Sequence, residues 1–307
     1  MTATQFEVRG QDYSRIILPL ARQEKSLLFD RVYVKPDITG KCFYQDQIGK
    51  WEMSPKTTVN PDTPQNDPNL SRTRIDMETY NDARMIDRSL NLQEFSDPMS
   101  QTSICLSSSV GIQMDKIIYK ALGGTAHRGE TGGTSVTFPA AKTIAPDFAG
   151  SGTSSALTTT KIRRAAKLMN AQGVPTWDRT FVCSATGLEQ LLGTTVVTNS
   201  DYNSIKALVA GEIDTWMGFK FVVLPDGIIH VDNNNIADYF AFHKTGVCYG
   251  MLEQMFLRIE ERADKSYSRQ IYYEINAGAA RLEEAKVIKV RCDESVVVTD
   301  ERQEGGN

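Results

Sequence analysis

The chain has 307 residues, of which 40% are hydrophobic. That is enough to bury a sizeable core as one large domain or two ordinary ones. The formal net charge of −4 excludes the basic excess behind tight duplex-DNA binding, so nucleic-acid contact is expected to be weak and non-specific. Five scattered cysteines, Cys42, Cys105, Cys183, Cys248 and Cys292, include no CxxC pair and are odd in number. They read as reduced, mostly buried thiols of a cytoplasmic product. Residues 1–10 carry Glu7 and Arg9 and no apolar run, which is not a signal-peptide pattern. No stretch approaches the roughly 18 apolar residues of a membrane span.

In chain order, residues 1–35 read as a polar arm with apolar clusters at Ile16, Ile17, Leu18 and Leu20 and at Leu27, Leu28 and Phe29, compatible with a helix before Pro36. Residues 40–53 predict a strand of imperfect alternation through Cys42, Tyr44, Ile48, Trp51 and Met53. Residues 54–70 set Pro55, Pro61, Pro64 and Pro68 among Asn, Asp, Ser and Thr. Such proline density removes backbone donors and fixes φ, so neither a helix nor a central strand survives there. Residues 72–76 resume an extended pattern, followed by residues 77–86. The segment 36–87 therefore predicts a long hairpin with an irregular, projecting tip.

Ser96-Asp97-Pro98 supplies a helix cap followed by proline at the first helical position. Met99, Leu106, Val110, Met114, Ile117 and Ala121 then share one face, and Gly123-Gly124 stops the run. The spacing predicts a helix over 97–122, about 35–40 Å long. Residues 125–137 read as a Gly/Thr-rich loop. Residues 156–172 predict a second amphipathic helix on Ile162, Ala165 and Met169, ended by Gly173 and Pro175. Mixed α/β structure follows: a strand at 180–184, short helices at 186–192 and 204–209, and a strand at 219–224 closed by Pro225-Asp226-Gly227. Beyond Tyr239 strands dominate, at 256–261, 270–275, 287–291 and 295–299. The end of the chain, residues 301–307, reads as a flexible tail.

Catalytic chemistry finds no foothold in this pattern. Residues 124–131 have the spacing of a phosphate loop, but Glu130 stands where lysine is required and the segment follows a helix. The three histidines, His127, His230 and His243, lie in no HExxH motif, and no serine sits in GxSxG. Glu260 and Glu261 are adjacent and face opposite sides of a strand. Glu283 and Glu284 read as a solvated acidic face. No enzyme activity, cofactor or metal site is expected.

The order of these elements resembles the major capsid proteins of tailed bacteriophages, of the Hong Kong-97 phage type. Gly40-Lys-Cys-Phe-Tyr-Gln-Asp-Gln-Ile-Gly49 is similar to that family's first hairpin strand. Asp62-Thr63-Pro64 and Arg72 to Asp76 are similar to its tip and returning strand. Ile86-Asp87, Asp97-Pro98, Met114-Asp115-Lys116 and Ala121-Leu-Gly-Gly124 resemble its run into and along a long spine helix. Gly211 to Gly218 followed by Leu224-Pro225 resembles a segment of its axial domain. The likeness spans about residues 31–294.

The resemblance implies an α+β capsid fold: an N-terminal arm (1–35), an extended hairpin loop (36–87), a peripheral domain (88–155 and 226–300) holding the spine helix 97–122, an axial α/β domain (156–225) and a tail (301–307). It implies a subunit of an icosahedral head around double-stranded DNA, assembled in the host cytoplasm and kept in the virion. Its partners would be further copies in hexamers and pentamers, portal and scaffolding proteins and, where one is used, a decoration protein, with no membrane. A lone two-stranded hairpin is marginal in water, and exposed apolar patches mark interfaces. The expected inter-subunit residues are therefore Phe43, Tyr44, Trp51, Met53, Pro55, Pro61 and Pro64, with Trp51 as the anchor. Two alternatives stand beside this reading: an encapsulin-like compartment shell, and an α/β enzyme whose proline-rich segment 54–70 is a lid.

Overall fold

The computed structural model describes residues 23, 25–53, 55–59, 67–86, 98–148, 152–193 and 215–296. Its long helix, α1, runs Pro98–Gly123, about 39 Å at 1.5 Å per residue. Val110 and Ile117 of the predicted stripe are buried, and Leu106, Met114 and Ala121 pack partly buried beside them. At the C-terminal end, the fully buried guanidinium of Arg281 donates to the carbonyls of Leu122 and Gly124 at 3.1 and 2.8 Å. A cation at the negative end of the helix satisfies carbonyls that have no partner within it.

The largest sheet has six strands in the order β7 (Thr143–Ile144), β14 (Val287–Asp293), β11 (Ile236–His243), β8 (Arg179–Cys183), β10 (Phe219–Val223) and β9 (Thr215–Trp216). Every residue of β8 is buried, and so is nearly all of β11, although Arg179, Thr180, Asp238 and His243 stand among their apolar residues. Helices α2 (Thr159–Asn170) and α3 (Ala185–Gly193) belong to the same region. This sheet draws strands from both sides of residue 225.

A second sheet orders β1 (Tyr33–Lys35), β12 (Val247–Arg262), β13 (Ser268–Arg281) and β4 (Glu78–Ile86). The 16 residues of β12 span about 50 Å. The third sheet orders β2 (Cys42–Ile48), β3 (Leu70–Asp76), β5 (Ala126–Arg128) and β6 (Thr134–Val136). The hairpin is β2 paired antiparallel with β3 over seven residues. After Asp76 the chain leaves it, and β4 pairs with β13 instead.

The hairpin sheet crosses the long ribbon at a pair of glycines. Gly250 and Gly278 face each other across β12 and β13. A Cβ on Gly250 would overlap the Phe43 ring and Ile38, and one on Gly278 would overlap the Asp76 carbonyl. The bare backbone lets Phe43 reach a small core with Ile38, Ile75, Cys248, Ala280 and Leu282. The base of the hairpin is thereby fixed on its own body.

The arm is docked from residue 25 onward. Leu28 and Val32 are core residues, and the buried carboxylate of Asp115 on α1 accepts hydrogen bonds from the Leu27 and Leu28 amides at 3.0 Å each and from Ser26 Oγ at 2.6 Å. Gln23 Nε2 also donates to it. Of the stretch before Pro36 where a helix was expected, residues 1–22 and 24 lie outside the described residues, and the rest holds a short 3-10 turn at Phe29–Arg31 and β1.

Other differences have tertiary causes. The expected strand 40–53 stops at Ile48, where the β3 partner ends. The expected loop 125–137 contains β5 and β6, which form because β3 offers them an edge. The two strands expected at 256–261 and 270–275 are the outer end of one longer ribbon. Of the strand expected at 295–299, Ser295 lies in a turn, and residues 297–299 are outside the described residues. The cap at 96–97, the helix at 204–209 and the tail 301–307 are outside them too.

Gly278→Ala is expected to lower the unfolding free energy by about 1–3 kcal/mol through overpacking, read as a drop in melting temperature. Gly133→Ala, whose nearest new contact would be 3.7 Å away, is the control and is expected to shift stability by under about 0.5 kcal/mol.

Candidate assembly surface

Alternation along β2 divides the hairpin's side chains. Phe43 faces inward and is buried in its own subunit, so it is not offered to a neighbour as expected. Residues an odd number of positions away along the strand cannot share that face. Tyr44 and Ile48 point outward, and beyond the last ladder pair Trp51, Met53 and Pro55 stay exposed. Ile48 is 68% exposed, Trp51 65%, Leu70 75% and Val59 90%, while Met53 is fully exposed. Pro61 and Pro64 lie outside the described residues.

The outer face of the hairpin is polar and braced. Arg72 grips Asp46 with two bonds of 2.7 and 3.0 Å, and its guanidinium lies 5.7 Å from the centre of the Tyr44 ring. The Arg72 hydrogen bond holds the Asp46 carboxyl below the usual carboxylate range. Both groups are solvated, so the pair sets geometry more than stability. Toward its own body the hairpin tip makes a contact from Lys50 Nζ to the Gln172 carbonyl at 3.0 Å.

A second surface was not legible in the sequence. The outer end of the β12–β13 ribbon exposes Phe256, Leu257, Ile259 and Tyr267, with Met85 on β4 beside them. Phe256 meets Tyr272 edge-on at 6.4 Å. The strands at 256–261 and 270–275 are visible in the sequence. Their continuity with the buried strand segments is not, because bulges break the register between Met251 and Phe256.

Reactive groups are committed to structure. His243 accepts from the Thr245 amide at 3.2 Å, and burial pushes its pKa down. Ser184, Tyr239 and Glu294 form a hydrogen-bonded knot in which Ser184 Oγ accepts from the Gly187 amide at the start of α3. Residues 124–131 form strand and turn with no helix after them, unlike a phosphate loop. Glu284 is not the solvated residue expected: it is half-buried and bonds Arg128 at 2.7 Å. Among the described residues no group of three His, Cys, Asp or Glu side chains could hold a metal ion, and no helix is long and apolar enough to cross a membrane.

The sequence matches the family model of phage capsid proteins over residues 7–294. The chain belongs to that family. This phage capsid protein is a structural component of the virion, not an enzyme, and neither the compartment-shell nor the lidded-enzyme alternative is favoured. Its fold is similar to that of the capsid of Ralstonia phage GP4 at 13% identity, with TM-score 0.75 and coverage of 95% of this chain and 98% of that one. It is similar to the capsid of cyanophage Pam1 at 12% identity and TM-score 0.72, covering 97% and 100%. Mycobacterium phage Che8 gives 16% identity and TM-score 0.64, covering 94% and 97%. No curated protein matches the sequence. The expected α+β phage capsid fold is thus the fold observed.

All five cysteines of the capsid protein are free. Burial pushes the thiols of Cys183, Cys248 and Cys292 up to about 12 from an ordinary 9.0. Below pH 9 both folded and unfolded chains keep these protons. Above it the unfolded chain releases them and the folded one cannot, so stability is lost as pH rises. Urea unfolding between pH 8 and 10 is expected to show the loss, approaching about 1.4 kcal/mol per pH unit for each thiol well above pH 9. Cys292→Ala should flatten the decline by one thiol's share. A stability that does not fall over this range would contradict the assignment.

Proposed function

We propose that this chain is the major capsid subunit, and that its extended hairpin lies on a neighbouring copy to build the icosahedral head around double-stranded DNA. The observation that carries the proposal is the split within the hairpin. Its base is locked into its own subunit by Phe43 and Ile75, while Ile48, Trp51, Met53, Val59 and Leu70 are held out in solvent. A protein that spent Phe43 on its own core has no such use for the tip. Each large apolar side chain covered by a neighbour contributes about 1.5–3 kcal/mol before association costs.

The contact is heterologous, since the tip of one copy meets a different surface on the next. Such contacts close into rings where the rotation permits. Hexamers and pentamers are the rings an icosahedral head requires. Pro55, Pro61 and Pro64 limit the unbound tip's freedom and so lower the ordering cost of docking. The exposed end of the β12–β13 ribbon supports a further contact between rings. Portal, scaffolding and decoration proteins are partners that this reading implies through the family.

The test is assembly of the expressed protein, viewed by negative-stain microscopy. The wild type is expected to form closed shells. Trp51→Ser/Met53→Ser is expected to abolish or sharply reduce them while leaving the subunit's melting temperature within about 2 °C, because neither side chain belongs to its own core. Normal shells from the double variant would refute the hairpin's role. Tyr267→Ser, on the other ribbon, is the comparison that separates the two surfaces.

A further inference from the structure

Helix α2 carries Lys161, Arg163, Arg164 and Lys167 within 12 residues and no carboxylate, in a chain whose overall charge is −4. Its four cations do two different things. Lys161 turns inward and is fully buried, its Nζ donating to the carbonyls of Pro146, Ser155 and Arg291 at 3.1, 2.7 and 3.0 Å. Together with buried Ile162, Ala165 and Met169, this ties the helix to β14 and the loop before it. The other three face outward. Arg163 and Lys167 are exposed one turn apart, and half-buried Arg164 is steadied with its guanidinium 5.7 Å from the centre of the Phe148 ring. Arg163 and Lys167, with Ala166, Asn170, Ala171 and Met217, line a shallow open groove.

We propose that this rigid basic face touches the phosphate backbone of the enclosed duplex. The inference rests on the head-building reading above. The chemistry of the groove fits phosphate better than a second protein surface. Interface cores are rich in aromatic side chains, and here the lining offers Met217 as its large apolar group among cations and an amide. Arg and Lys at successive turns suit a ladder of phosphates and read no base sequence. Three such contacts per subunit give weak, non-specific binding, which lets the genome be packed and released. The segregated charge explains how an acidic protein can line a container for an acidic polymer: one cationic face offsets the repulsion and the remainder stays acidic.

Binding of dissociated full-length subunits to a linear duplex of mixed sequence, followed from 50 to 200 mM salt, tests the assignment. Three phosphate contacts contribute about 2.7 to the slope of log affinity against log salt. The variant Arg163→Gln/Arg164→Gln/Lys167→Gln is expected to lose about that much slope and still form shells of wild-type diameter. Arg163→Lys/Arg164→Lys is expected to keep the slope. An unchanged slope in the triple Gln variant would overturn the proposal. So would loss of shells with the slope retained, which would place the face against another copy. Failure of the wild type to form shells would instead count against the head-building reading, whatever the slope.

Discussion

The glycine pair at Gly250 and Gly278 is the constraint on which the remaining architecture rests. Two strands of the long ribbon lie bare at one point, and the hairpin's two ends cross them there. Phe43 plugs the notch from one strand of the hairpin and the Asp76 backbone closes it from the other. Without that notch the hairpin could not pass over the ribbon and still bury its base. With it, the direction of the tip is set by close-packed backbone and not by side-chain contacts that could slide.

Several charged groups then fix the elements around this crossing. Arg281 holds the end of α1, and Arg128 bonds both the Leu282 carbonyl and Glu284. Asp115 holds the docked part of the arm to the middle of the same helix. Each is a buried or half-buried charge with several partners, the condition under which a buried charge is tolerated. The capsid protein is thus held firmly at the base of the hairpin and along the docked part of the arm, and it exposes apolar side chains toward the hairpin's far end. In the assembly proposed above, a subunit with an apolar surface at the end of a firmly aimed lever could repeat one contact many times in a closed shell.

The parts of this fold that were legible in the sequence are those carried by local chemistry. Pro98 and Gly123 bracketed α1, and Ile162, Ala165 and Met169 gave the inner face of α2. The illegible parts depend on partners far along the chain. Nothing local in Ala126–Arg128 marks a strand until β3 is beside it. Phe43 and Tyr44 looked alike as aromatic residues, and which one faced inward depended on a glycine two hundred residues away. The apolar stripe of α2 by itself accounts for the helix and leaves its basic side without a signal, and Glu284 reads as solvated because Arg128 is distant in sequence.

The most direct test of the account is a density map of the assembled shell in which Trp51 and Met53 can be traced. The account predicts that both side chains are covered by residues of a neighbouring copy while Phe43 remains in the core of its own subunit. A map showing the two tip residues in solvent, or packed on the body from which they came, would contradict it.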